Sequence, residues 1–83
     1  MASATPSPTP NPNAMKFTLD VRIEGSMNVA GADQADSPFA RRVFEAPGVA
    51  ALFGVNDFVT VTRTEGAAWE PIIEAVQAAA ADL

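Results

Sequence analysis

"KFTLDVRIE", residues 16–24, decides the fold class. Phe17, Leu19, Val21 and Ile23 fall on one side of an extended chain, and Lys16, Thr18, Asp20, Arg22 and Glu24 on the other. A period of two over this length predicts a β-strand with one buried and one wet face. Such a face needs a second layer to cover it, so the rest of the chain is read for what supplies that layer.

Downstream, Gly25 and Ser26 signal a turn, and "MNVA", residues 27–30, reads as a short second strand. Ser37 has the chemistry of a helix N-cap, with Pro38 at the first helical position. Phe39, Val43 and Phe44 then share a helical face until Pro47 and Gly48 stop it, which predicts a helix of about ten residues. "VAALFGVNDFVTVTRTEG", residues 49–66, reads as a hairpin with its turn at Gly54 to Asp57. Val59 and Val61 share one face of its second strand, and Phe58, Thr60 and Thr62 the other. The last segment, from Trp69, places Trp69, Ile72, Ile73, Val76, Ala80 and Leu83 at helical spacings. Pro71 is tolerated in its first turn, and Glu70 and Glu74 suit the positive end of the helix dipole. The predicted class is α+β: a two-layer sandwich in which a mainly antiparallel sheet of three to four strands carries two helices on one face.

Upstream, residues 1–8, "MASATPSP", offer little apolar surface, and they read as a flexible tail. The remaining residues, 9–83, form a single domain with a small core. With no Cys in the chain, no disulfide staples it.

Composition narrows the chemistry. The chain has 83 residues, a formal net charge of −5, no Cys and no His. An acidic chain repels phosphate backbones and anionic membranes, and its five basic residues form no stripe, so neither nucleic acid nor membrane is an expected partner. No apolar run approaches the ~20 residues of a membrane span, and no secretory signal opens the sequence. The expected location is cytoplasmic. Without thiolate or imidazole there is no ordinary zinc or iron–sulfur ligand set. The ten acidic residues match no calcium loop, and the five isolated glycines form no phosphate loop. General acid–base work would fall to carboxylates, Lys16 or arginines alone, so the chain is read as a non-enzyme with no catalytic residue, cofactor or metal.

The candidate partner-binding residues are Asn11, Asn13, Lys16, Arg41 and Arg42. Asn11-Pro12-Asn13 with Lys16 offers a polar patch, although Asn and Pro in this order foremost predict a turn that leads into the strand. Arg41 and Arg42, the one adjacent basic pair, suit an acidic surface or a phosphate, or else a solvated helix face that pairs locally with Glu45. Phe39, Phe44, Phe53, Phe58 and Trp69 read as core, with Phe53 or Phe58 the one available to a partner. Asp57 reads as a turn residue rather than an acid or ligand.

Four pieces in order, "TPNPNAMKF" (9–17), "SPFARRVFEAPGV" (37–49), "FGVNDFVTVTR" (53–63) and Trp69 opening the final helix, resemble the N-terminal domain of Nfu/NifU-type iron–sulfur scaffold proteins. The resemblance runs from about Thr9 to Val76. It implies an α+β domain and a setting in iron–sulfur cluster assembly or delivery. In multidomain relatives this domain precedes one whose Cys-x-x-Cys motif holds the cluster. The present chain has no Cys, and so corresponds to a stand-alone version of the domain or to a fragment. The implied role is a non-catalytic accessory module that binds scaffold, carrier or client proteins without ligating a cluster. The alternative is a peptide- or phosphopeptide-binding adaptor, with an edge strand or the Arg41–Arg42 pair as its surface.

Overall fold

The chain is described by a computed structural model over residues 3–22, 26–35 and 37–82. In chain order these residues form β1 (Ala4–Pro8), β2 (Ala14–Leu19), β3 (Ser26–Val29), a 3₁₀ turn at Ala32–Gln34, α1 (Pro38–Phe44), β4 (Val49–Val55), β5 (Phe58–Arg63) and α2 (Trp69–Ala81). The five strands make one sheet in the order β1-β2-β5-β4-β3, and every neighbouring pair is antiparallel. The α+β class and the antiparallel sheet agree with the reading above, and the sheet has five strands.

The alternation that predicted β2 holds for its first part. Phe17 and Leu19 are buried, while Lys16 and Thr18 point to the opposite, exposed face. The strand then stops at Leu19, and Val21 is 37% exposed. The reason lies in its neighbour. β5 begins at Phe58, opposite Thr18, and the Leu19 N–H donates to the Asp57 carbonyl at 2.6 Å. Past this point the β4–β5 turn leaves β2 no ladder partner on its β5 side, so the apolar periodicity outruns the ladder. Ile23, Glu24 and Gly25 lie outside the described residues.

The tail predicted for residues 1–8 is corrected over Ala4–Pro8, which form edge strand β1 against β2, with Pro6 opposite Phe17 and Pro8 opposite Met15. Composition missed it because the strand is held by ladder hydrogen bonds and by one small buried side chain, Ala4, rather than by large apolar residues. It is pinned at its start, where the Ser3 N–H donates to Asp20 Oδ1 at 2.9 Å.

In the β4–β5 hairpin, Gly54 and Val55 belong to β4, so the connection is the two residues Asn56 and Asp57 rather than the four expected. Asn56 takes φ +57°, a left-handed conformation that Asn tolerates better than most residues. Val59 and Val61 face inward and are fully buried.

Both helices cover the face of Phe17, Leu19, Leu52, Val59 and Val61. α1 is capped as its sequence predicts: Ser37 is extended, and its Oγ accepts from the Ala40 N–H at 3.1 Å. The helix is seven residues long, shorter than expected, and buries Phe39, Ala40 and Val43. α2 buries Ile72, Ala75, Val76, Ala79 and Ala80, with Trp69 and Ile73 partly buried against the same core. Leu83 lies outside the described residues. All five buried α2 side chains fall at spacings of three and four, and three of the five are alanine, which lets the helix sit close to α1.

Candidate functional site

The Asn11–Asn13 stretch is a turn fastened from inside. Asn11 Oδ1 accepts from the Asn13 N–H at 2.9 Å, and the Asn11 carbonyl accepts from the Ala14 N–H at 3.1 Å. Thr9 Oγ1 accepts from the Asn11 N–H at 3.2 Å and lies 2.9 Å from the carbonyl oxygens of both Asn11 and Ala14. Such Asx-type turns turn side-chain polarity inward on the backbone.

Asn13 reaches further. Its carbonyl accepts from the Arg63 N–H at 2.8 Å, and its Oδ1 accepts from Arg63 Nε at 3.3 Å. Arg63 also donates from Nη1 to the Ala67 carbonyl at 2.7 Å, and its guanidinium lies 5.1 Å from the centre of the Trp69 ring. The planar fork thus ties three segments together: the turn before β2, the end of β5 and the start of α2. Sequence reasoning passed over Arg63. The signal was present, because alternation through Val59 and Val61 places residue 63 on the covered side of the sheet, where a cation needs partners.

The other candidates separate. Lys16 is exposed on the open face of the sheet, with Nζ 4.6 Å from the centre of the Phe58 ring. Phe53 stands on that same face, 44% exposed, and is the aromatic left available to a partner. Arg41 and Arg42 sit on α1, in the opposite layer. Arg41 Nε donates to the Ala35 carbonyl at 3.3 Å, whereas Arg42 pairs with Glu45 at 3.6 Å. The pair therefore diverges and does not converge on one anion. Arg42 also lines a cleft of about 390 Å³ with Glu45, Ala46, Pro71, Glu74, Ala75 and Ala78, where two carboxylates meet its single charge. The structure does not bring Asn11, Asn13, Lys16, Arg41 and Arg42 into one site. Asp57 is exposed and works through its backbone in the turn, as expected.

Among the described residues, no group of three or more acidic side chains is placed to hold a metal ion, and Cys and His are absent from the whole chain. Nor, among the described residues, is any helix long and apolar enough to cross a membrane.

Comparison with known proteins gives these observations a context. The chain is 38% identical over 68 residues to the "NFU1 iron-sulfur cluster scaffold homolog, mitochondrial" of Drosophila ananassae, covering 77% of this chain and 24% of that protein. The Drosophila persimilis protein of the same name is 37% identical over 68 residues, with the same coverage. The chain thus spans about a quarter of the length of the curated relatives it matches. The crystal structure of protein SAV1430 from Staphylococcus aureus superposes with a TM-score of 0.79 at 32% identity, covering 93% of this chain and 96% of that one. The solution structure of a NifU-like protein from Saccharomyces cerevisiae gives a TM-score of 0.73 at 26% identity, covering 88% of this chain and 70% of that one. The family model described as "Scaffold protein Nfu/NifU N terminal" matches residues 5–82, which takes in all of β1 but Ala4, and the chain belongs to that family.

Proposed function

We propose that this domain is a non-catalytic interaction module that acts in iron–sulfur cluster assembly or delivery and ligates no cluster itself. The observation that carries the reading is that the Nfu/NifU N-terminal match over residues 5–82 is built from a sequence without Cys or His. Thiolate and imidazole are the side chains that hold such clusters. A domain without them contributes through its surface, by engaging scaffold, carrier or client proteins that carry the ligands.

Two measurements test this together. Anaerobic incubation with ferrous iron and sulfide, followed by desalting, should leave no visible cluster absorption on the protein. Affinity capture from the native lysate should recover iron–sulfur scaffold, carrier or client proteins. Retained stoichiometric iron and sulfide would overturn the non-ligating role. Recovery of no cluster protein, at a bait level that captures a known control, would overturn the setting.

A further inference from the structure

The two edges of the sheet differ in what their backbones offer. β2 is flanked on both sides, so its peptide groups point alternately to β1 and to β5. The Leu19 N–H donates to Asp57, and the Asn13 carbonyl accepts from Arg63, so the odd-numbered residues of this stretch turn toward β5. Lys16 and Thr18 therefore turn toward β1, where they pair with Ser7 and Thr5. That leaves Ala4, Pro6 and Pro8 facing outward. Pro6 and Pro8 have no N–H, and the Ala4 carbonyl accepts from Gln77 Nε2 at 3.5 Å. The outer rim of β1 is closed to a further strand.

Among the described residues, the opposite edge is open. The Thr64 N–H donates to the Gly48 carbonyl at 2.7 Å, and Arg63 turns to Asn13, so the even-numbered residues of β5 face β4. Phe53 and Val55, opposite Thr60 and Phe58, face β5 in return, and Leu52 and Gly54 face β3. Their partners Val29 and Met27 complete the ladder, and the N–H and C=O groups of Ser26 and Asn28 point away from the sheet. Among the described residues, none hydrogen-bonds to the outward groups of Asn28. Just past β3, the Ala30 N–H is taken by Gln34 Oε1 at 3.4 Å, which bounds the open rim.

Side-chain room accompanies this rim. A cleft of about 260 Å³ lies under β3, lined by Met27, Ser37, Pro38, Phe39, Ala79 and Asp82. Four of these six are apolar, and the Ser37 hydroxyl is already engaged as the α1 cap. Above the rim, exposed Phe53 stands opposite Asn28. A strand laid against β3 would send alternate side chains down beside Met27 and up beside Asn28, with Phe53 standing one strand further in. The mouth of the cleft is negative: it carries Asp82, and it sits at the C-terminal end of α2, whose last turn has no basic residue.

We propose that the outer rim of β3 takes an extended segment of a partner protein. The segment pairs with the backbone at Ser26 and Asn28, places an apolar side chain in the Met27–Phe39 cleft and carries basic residues at its ends. This deepens the interaction-module reading and rests on it for its biological setting.

The test uses a defined probe, an acetylated and amidated peptide of alternating Leu and Thr with Lys at both ends, titrated into the isotope-labelled full chain and followed by NMR. The expected shifts concentrate on β3, Phe39 and Asp82. Asn28→Pro, which removes the outward N–H and spares the β3–β4 ladder, weakens binding about tenfold, the order of one well-placed hydrogen bond. Asp82→Lys, at an exposed position, weakens it about threefold, as for a surface charge pair. A peptide N-methylated at alternate amides keeps its side chains and does not bind. Shifts centred on Arg41 and Arg42, or equal binding of the N-methylated peptide, would overturn the proposal. So would a doubled mass in sedimentation without peptide, with β3 protected, because a second copy would then occupy the rim. Since no lysate is involved, failure here indicts the surface, whereas failure to capture cluster proteins indicts the setting.

Discussion

Asn13 and Arg63, 50 residues apart in sequence, are joined twice, through the backbone at 2.8 Å and through Oδ1 and Nε at 3.3 Å. This makes the Asn-Pro-Asn turn a structural anchor. Arg63→Ala removes the bonds to Asn13 Oδ1 and Ala67 together with the contact on Trp69, and is expected to cost about 2–3 kcal/mol. Asn13→Ala removes one of these bonds and is expected to cost about 1 kcal/mol. Urea denaturation of both variants and the double variant checks this. The double variant should cost less than the sum of the two, because the residues share a bond. Strict additivity would show that the pair is not coupled.

Ile72 is fully buried at the centre of the α2 face that meets the sheet. Ile72→Ala is expected to destabilise by about 2–4 kcal/mol, the usual transfer-plus-cavity cost. An effect below about 0.5 kcal/mol in the same denaturation series would mean that Ile72 does not face the core, because even full collapse of the cavity leaves the lost transfer free energy.

The parts of this fold that were readable from sequence are those where one local signal acts alone. Phe17 and Leu19 follow the pleat, Ser37 and Pro38 follow capping chemistry, and the α2 face follows the helical period. What escaped depended on partners distant in the chain. Val21 continues the apolar alternation, yet β2 ends before it because β5 does. Residues Ala4–Pro8 look like a linker by composition, yet β2 supplies the ladder that orders them. Arg63 stood at a predictable register, but its partners Asn13 and Ala67 become visible only once the turn, β5 and α2 meet. The candidate site shows the same division. Asn11 and Asn13 were readable as a turn, whereas the divergence of Arg41 and Arg42 depends on where Ala35 and Glu45 lie.

Gly48 carries the chain from the end of α1 into β4 at φ +90°, and a Cβ built there would run into Ala67 Cβ. Gly48→Ala therefore meets both an unfavourable backbone region and a clash with the segment that precedes α2. The expected cost is about 2–4 kcal/mol, the sum of a left-handed residue and modest overpacking. Gly66 also has positive φ, at +86°, but a Cβ there meets nothing within 4 Å. Gly66→Ala should therefore cost about 1–2 kcal/mol, from the backbone alone. Thermal denaturation of the two variants separates the contributions, and equal losses would mean that the Ala67 contact relaxes at no cost.

Arg42 and Glu45 form an exposed pair one helical turn apart. Side chains at this exposure are screened by water, so Glu45→Gln is expected to change stability by less than about 0.5 kcal/mol. The difference should shrink further as salt is added. A larger loss that survives high salt would show that Arg42 needs its partner to remain matched in the cleft shared with Glu74.

The closed rim of β1 yields the last prediction. If Pro6 and Pro8 keep that edge from pairing, then replacing both with Thr restores two outward N–H groups next to free carbonyls. Thr favours extended backbone, so β1 should remain a strand and overall stability should change by no more than about 1 kcal/mol. The sheet would then have two open edges in place of one, and edge-to-edge association becomes possible between copies. The double variant, Pro6→Thr with Pro8→Thr, should show concentration-dependent association in sedimentation velocity that exceeds that of the parent chain. Its amide exchange should slow on β1 as association proceeds. Unchanged sedimentation over the same concentrations would show that something other than the missing N–H groups, such as the Gln77 contact at Ala4, keeps β1 closed.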